Sequence, residues 1–257
     1  MNVMKLFNLS GKTAIVTGGG RGLGEQIATG FAEAGANVVI CSRNVEACEE
    51  VSEKLKEIGA RTLALKCDIT NPEDVKDVVR KTIDEFGSID ILVNNSGATW
   101  GAPAAEMPIE AWEKVLKVNV TGTFLMSQEV GKVMIEQKSG KIINISSVAG
   151  LGGTDPRFMD TIGYNTSKGA VITFTKDLAV KWGKYNINVN AIAPGFFPTK
   201  MSKVLIEHGK EQILGATPLG RFGTDNDLKG AAVFLASHAA DFITGNVIIV
   251  DGGTHAM

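Results

Sequence analysis

The chain has 257 residues, 44% of them hydrophobic and 21% charged, with a net charge of −2. It is long enough to bury a sizeable core as one large α/β domain or two small ones, with a composition ordinary for a soluble globular enzyme. The near-neutral balance leaves no basic footprint for nucleic acid and no polybasic surface for anionic lipid, so both partners are excluded early.

In chain order, short β-branched runs alternate with amphipathic stretches. Lys12 to Thr17 is a predicted strand and Gly22 to Ala34 the helix after it, stopped by Gly35. Asn37 to Cys41 is the second strand. Asn44 to Ile58 follows with apolar residues at Val51, Leu55 and Ile58 on one face, a helical period that ends at Gly59. Arg61 to Lys66, a helix opened by Asn71-Pro72 and ended at Gly87, and the strand Asp90 to Asn94 repeat the rhythm. One long helix is expected from Pro108 to Glu136, then the strand Lys141 to Ile145, a helix carrying Tyr164, and the strand Ile187 to Ala193. Between residues 195 and 224 the rhythm lapses; a short helix from Thr199 to Leu214 is expected there, in a segment that reads as a lid over a site. A helix from Asp225 to Ser237 and a last strand, Val247 to Val250, complete the chain. Alternating strands and helices imply parallel pairing through right-handed crossovers, hence a single-domain, doubly wound Rossmann-like α/β sheet over residues 1–257.

No apolar run reaches the ~20 residues of a membrane span, and Met1 to Ser10 lacks the apolar core and cleavage site of a secretory signal, so the expected location is cytoplasmic. Cys41, Cys48 and Cys67 form no C-x-x-C pair and have no histidine at metal spacing; they read as buried free thiols, and no metal site is expected. His208, His238 and His255 have no partner pattern and receive no role.

Thr17-Gly18-Gly19-Gly20-Arg21-Gly22-Leu23-Gly24 directly follows a strand and opens a helix, the context a dinucleotide fingerprint requires. Its glycines let backbone approach a pyrophosphate, and the helix N-terminus offers free N–H groups and partial positive charge. At the end of the second strand an acidic side chain would hold the ribose 2′-OH of NAD(H). Ser42 and Arg43 stand there instead, and Arg43 with Arg21 could clasp a 2′-phosphate, so NADP(H) is the expected cofactor. Cys67-Asp68-Ile69-Thr70, Asn94-Asn95-Ser96-Gly97, Ser146-Ser147 and Pro194-Gly195 all lie at carboxyl ends of predicted parallel strands, the edge where such sheets bind ligands. Tyr164 and Lys168 are one helical turn apart on one face. A phenol ordinarily titrates near 10; an ammonium within roughly 4–6 Å lowers that by about 1–3, into the range of proton exchange with an alcohol or carbonyl.

These residues together resemble the short-chain dehydrogenase/reductase family over nearly the whole chain. The resemblance rests on Thr17-Gly18-x-x-x-Gly22-x-Gly24, Asn94-Asn95-Ser96-Gly97, Asn119, Ser147, Tyr164-x-x-x-Lys168 and Pro194-Gly195 with Thr199. It implies Tyr164 as proton donor or acceptor and Ser147, preferred to Ser146, as the hydroxyl that orients the carbonyl. Lys168 would bind the nicotinamide ribose and lower the phenol pKa, and Asn119 would hold a relay water. The cofactor set it implies is Gly18, Arg21, Gly22, Leu23, Gly24, Ser42, Arg43, Asp68 and Ile69 toward the adenosine and phosphates, and Asn94, Gly97, Tyr164, Lys168, Pro194, Gly195 and Thr199 toward the ribose and carboxamide. Ser96 stands where the family usually has alanine, and the interval from Ser147 to Tyr164 is longer than is common. A homotetramer is implied, with the last helix and strand among its contacts.

Within the family the chain looks most similar to 3-oxoacyl reductases, including the rhamnolipid-pathway type, and to gluconate 5-dehydrogenase-like enzymes. The expected activity is reduction of a ketone or oxidation of a secondary alcohol, with a 3-oxoacyl thioester first and a keto-sugar acid second. Trp100, Phe158, Phe196 and Phe197 are candidates to wall an acyl pocket, and Lys200, Lys203 and Arg221 to meet a carboxylate or phosphopantetheine. Two rivals from other classes are a catalytically silent dinucleotide-sensing regulator, which predicts a broken Ser/Tyr/Lys set, and a mainly structural oligomer subunit.

Overall fold

The computed structural model describes residues 2–157, 159–200 and 202–256, without the side chains of residues 203–205, 207 and 208. Seven parallel strands run in the order β3-β2-β1-β4-β5-β6-β7. They are β1 (Thr13–Thr17), β2 (Asn37–Ser42), β3 (Thr62–Lys66), β4 (Ile91–Asn94), β5 (Gly140–Ile145), β6 (Ile187–Pro194) and β7 (Val247–Val250). The sequence direction reverses between β1 and β4, which opens a crevice at their carboxyl ends, the place where open α/β sheets bind ligands.

Helices cover both faces, so the central strands are buried throughout and read as unbroken apolar runs rather than as alternating ones. Side chains of one strand still divide between the two layers. Val16 joins Ile27 and Phe31 of α1 (Gly22–Glu33), Leu55 of α2 (Val45–Glu57) and Leu235 of α8 (Lys229–Ala236). Its neighbour Ile15 joins Val75 of α3 (Pro72–Phe86), Met126 and Met134 of α5 (Thr123–Gln137) and Leu178 of α6 (Ile162–Trp182). Local chemistry sets the helix ends. Asn44 accepts from the Ala47 N–H at 2.8 Å to start α2. Asn71 caps α3 with Pro72 in its first turn, and Gly87, at φ 79°, ends it in the left-handed conformation.

Three boundaries differ from the sequence reading. The expected single helix from Pro108 to Glu136 is α4 (Ile109–Leu116) and α5 joined by a π-helical turn, Lys117–Gly122. This wider turn carries buried Asn119, whose amide bonds the loop after β4, and Gly122, where a Cβ would sit 2.5 Å from Ile69 Cδ1. Helix α7 (Lys203–Gly215) starts four residues later than Thr199. Thr199 and Ser202 bond each other's N–H groups reciprocally, at 2.9 and 3.3 Å, and so form the entry to the helix rather than its first turn. Residues 225–228 are turn rather than helix, because the Asp227 carboxylate is held by Arg221 and by the Thr224 N–H and hydroxyl.

Candidate active site

The turns after β1 and β4 are laced together at the crevice. Thr17 Oγ1 accepts from the N–H groups of Asn95 and Ser96, at 3.0 and 3.1 Å, and Asn95 Nδ2 donates to the carbonyls of Thr17 and Gly18, at 2.9 and 3.2 Å. Gly24 packs under this lacing: a Cβ there would press on the Gly18 carbonyl and lie 2.5 Å from Asn95 Nδ2. Gly18 has φ +64°, and no side chain caps the N-terminus of α1, so its first N–H groups face the crevice rim unpaired with side chains. Leu23 packs partly against the α1 layer, and Arg21 is exposed on the turn.

At the ends of β2 and β3, Arg43 is exposed and the Ser42 hydroxyl donates to the Asn44 carbonyl at 2.7 Å, shaping the turn. Partial burial pushes the Asp68 carboxyl up. The N–H and hydroxyl of Thr70, with the charges of Arg43 and Lys117, outweigh it and hold the group below the ordinary value as an anion. Ile69 and Asn94 differ from their expected places. The Ile69 side chain is buried in the α5 layer against Gly122, which leaves only its main chain for the crevice. Asn94 Nδ2 donates inward, to Ser127 Oγ at 2.9 Å and Asn144 Oδ1 at 2.8 Å, and Asn144 continues to Thr175 Oγ1, so the Asn94 amide nitrogen is committed within the core.

The four residues expected to carry chemistry gather around the ends of β4 and β5. Asn119 accepts from the Ala98 N–H at 2.7 Å and donates to the Ala98 carbonyl and to Ser167 Oγ, itself bonded to the Tyr164 carbonyl. The loop after β4 is thereby tied to α6. Ser146 Oγ is engaged with the Lys168 carbonyl at 2.9 Å, whereas Ser147 Oγ accepts from the Ala149 N–H at 3.2 Å and acts on the Tyr164 phenol. Lys168 is buried; its Nζ donates to the Ile145 carbonyl at 2.7 Å and lies 5.6 Å from the centre of the Tyr164 ring. A Cβ on Gly97 would stand in ordinary contact with that ammonium, at 3.8 Å.

The electrostatics reverse one expectation. Removal from water raises the Tyr164 phenol above its ordinary value, with only the Ser147 hydrogen bond opposing, and burial lowers Lys168 to about 8. The ammonium is bonded to the Ile145 carbonyl and lies 5.6 Å from the ring centre, and in this arrangement burial sets the direction of the phenol shift.

Pro194 is buried, and Gly195 follows where a Cβ would lie 2.7 Å from Asp251 Cβ; its N–H bonds the Val250 carbonyl at 2.9 Å. A Cβ on Gly22 would touch Thr199 Cγ2 at 3.4 Å, so the entry to α7 meets the glycine-rich turn. Phe197 does not wall a pocket: it is buried in the α1 layer, its ring filling the space left by Gly223. Trp100 is exposed, Phe196 half-buried, and Phe158 and the Lys203 and His208 side chains lie outside the described residues. Arg221 is committed to Asp227 through two hydrogen bonds, 2.7 and 2.9 Å, while Lys200 is exposed. The long interval before Tyr164 is braced by polar side chains: Asn165 Nδ2 donates to Thr154 Oγ1 and Thr161 Oγ1 to Asn165 Oδ1, both at 2.9 Å. Among the described residues no group of three or more His, Cys, Asp or Glu side chains suits a metal, and the three cysteines are free and buried.

Ser127, Asn144, Ser167 and Thr175 received no role in the sequence reading, and Thr17 was read only as the start of the glycine-rich turn. Asn95 was visible as part of the Asn94-Asn95-Ser96-Gly97 turn, yet which of its two asparagines turns inward has no local signal.

A family model described as enoyl-(acyl carrier protein) reductase matches residues 18–255. The chain is similar to a 2-dehydro-3-deoxy-D-gluconate 5-dehydrogenase of Dickeya dadantii, 41% identical over 254 residues and 98% of each chain. It is also similar to a 3-oxoacyl-(acyl-carrier-protein) reductase of Aquifex aeolicus, 39% identical over 95% of this chain and 98% of the relative. Among solved structures, a gluconate 5-dehydrogenase of Burkholderia cenocepacia in complex with NADP and tartrate superposes with a TM-score of 0.94, at 35% identity and full coverage of both chains.

Proposed function

The chain belongs to the short-chain dehydrogenase/reductase family, and from that we propose an NADP(H)-dependent oxidoreductase that interconverts a polyhydroxy keto acid and its secondary alcohol. The observation that carries the chemistry is the gathering of Ser147 and Lys168 around Tyr164, with Lys168 Nζ 5.6 Å from the ring centre and anchored on the Ile145 carbonyl. The residues fit a dinucleotide: the uncapped α1 N-terminus and the Gly18 and Gly22 backbone for the pyrophosphate, Arg21 and Arg43 for a 2′-phosphate, Asp68 for adenine. The Ile69 and Asn94 main chains, Gly97, Lys168, Pro194, Gly195 and Thr199 complete the cradle. A bound nicotinamide supplies or accepts the hydride.

In this reading Ser147 and Tyr164 donate two hydrogen bonds to the substrate oxygen and polarise it, and Tyr164 gives up its proton as the alcohol forms. Desolvation keeps the phenol protonated before that moment, so the group is poised as an acid in reduction. Lys168, a cation below about pH 8, stabilises the phenolate left behind. Asn119 holds the loop after β4 and the start of α6 in register through Ala98 and Ser167, and is assigned the relay water. Residues 195–224 close over the substrate as a lid.

A keto-sugar acid is ranked first because Phe197 is withdrawn into the core while the segment that leads into the Tyr164 helix is polar, with Thr154, Thr161 and Asn165 hydrogen-bonded in series. The Dickeya relative's name and the tartrate of the Burkholderia complex agree with it. The second reading, a 3-oxoacyl thioester reductase, is favoured by exposed Trp100 on the loop after β4 and by the Aquifex relative. A homotetramer that uses α8 and β7, where Ile249 is exposed, goes with either. The test is initial rates on 5-ketogluconate and an acetoacetyl thioester with NADPH and NADH. Turnover of the keto acid with at least tenfold preference for NADPH is expected; preference for the thioester selects the second reading, and equal efficiency with both cofactors removes the NADP(H) assignment.

A further inference from the structure

Ser96 replaces the alanine common in the resembling pattern, and its surroundings give the added hydroxyl a purpose. Its N–H is pinned to Thr17 Oγ1 at 3.1 Å, next to the Asn95 side chain that holds the Thr17 and Gly18 carbonyls. The lacing fixes Ser96 against the glycine-rich turn so closely that a Cβ on Gly18 would lie 3.1 Å from Ser96 Oγ and 3.2 Å from Ser96 Cα. Ser96 is half-buried, and among the described residues its hydroxyl takes part in no hydrogen bond and is not sealed from solvent. Nearby hydroxyls of Thr17, Ser127, Ser146 and Ser167 all have protein partners. Ser96 alone in this group presents a hydroxyl with no hydrogen bond, at the seam between the turn assigned to the pyrophosphate and the turn assigned to the ribose.

We infer that Ser96 is a cofactor-binding residue whose hydroxyl donates a hydrogen bond to an oxygen of the nicotinamide-side phosphate or ribose of NADP(H). The inference rests on the NADP(H) reading above. Alanine would fill the same space with its Cβ, so the exchange adds a donor without changing the packing. A half-buried hydroxyl that loses water when the dinucleotide docks must regain a partner or weaken binding.

The experiment compares the full-length parent with Ser96→Ala, using the dissociation constant for NADPH from cofactor fluorescence without substrate, and ligand-free thermal unfolding. The expected result is NADPH binding weakened about 3- to 10-fold, the worth of one hydrogen bond, with the ligand-free midpoint unchanged. Adenosine 2′,5′-bisphosphate, which lacks the nicotinamide-side phosphate and ribose, should bind both proteins alike. Equal NADPH affinity in the two proteins, a lowered midpoint that accounts for the loss, or an equal loss for the bisphosphate overturns the inference and leaves the cofactor reading standing. Failure of the parent itself to bind NADPH overturns both.

Discussion

Glycine has opposite meanings at the two ends of the crevice. Beside β1 and β4 it is there because nothing larger fits: a Cβ on Gly24 would lie 2.5 Å from Asn95 Nδ2, and one on Gly19 2.6 Å from Ile40 Cγ2. In the excursion after β6, a Cβ on Gly209 would make an ordinary 3.6 Å contact with Ile213, and on Gly215 it would meet nothing within 4 Å. Gly209 instead marks a kink in α7, with φ −125° and ψ 21°. One end is a cradle defined by backbone contact; in the other the flanks are packed, Gly195 against Asp251 and Gly223 against the Phe197 ring, while among the described residues α7 between them has space around Gly209 and Gly215, which suits fixed cofactor binding beside a substrate cover that must open.

Substitutions that break the cradle should have the largest effect. Gly24→Ala pushes the Gly18 and Asn95 turns apart, and a displacement of about 1 Å at such a site costs roughly 10²-fold; NADPH affinity measured by fluorescence should fall by that order, with a lower unfolding midpoint. Unchanged affinity would mean that the lacing is not what shapes the pyrophosphate site.

Lys168→Met separates function from stability within the cradle. Turnover should fall about 10²–10³-fold, as for loss of one preorganised electrostatic contact. Yet at pH 7 the midpoint should rise by ~2–4 °C, because a desolvated cation with a single carbonyl partner is replaced by an apolar chain of similar length. Lys168 releases its proton at about 8 in the folded protein and at the ordinary 10.5 when unfolded. The unfolded chain binds more protons between those values, so this group makes stability rise with pH across the window. Unfolding curves from pH 7 to 10.5 should lose that contribution in the variant.

The smallest effect belongs to the cover. Gly209→Ala should leave NADPH affinity unchanged and shift the carbonyl KM by about 2- to 3-fold, with a midpoint equal or slightly higher, since alanine reduces the freedom of the unfolded chain. Loss of cofactor binding in this variant would erase the contrast between the two ends.

Much of the cradle was legible because it is local: the β-branched run before Gly18, the helix period after Gly22, and the stop at Gly87 each follow from neighbouring residues. Features set by distant contacts were not. Asn94 and Asn95 are alike in sequence, and only the positions of Ser127 and Asn144 decide that the first turns inward. The π-helical turn around Asn119 exists to reach Ala98, 21 residues back in the chain. Phe197 is as apolar as Phe196, but Gly223 supplies the space that draws it into the core. The Tyr164–Lys168 spacing places the two groups on one face; the direction of the phenol shift depends instead on desolvation, opposed by the Ser147 hydroxyl.

The role of the Tyr164 hydroxyl is tested most directly by Tyr164→Phe, with NADPH affinity and single-turnover reduction of 5-ketogluconate measured on the same preparation. Removing one hydroxyl that both polarises the oxygen and delivers its proton should leave the dissociation constant within about threefold and slow the hydride step by about 10³-fold or more. Hydride transfer in the variant at a rate near that of the parent would contradict the mechanism.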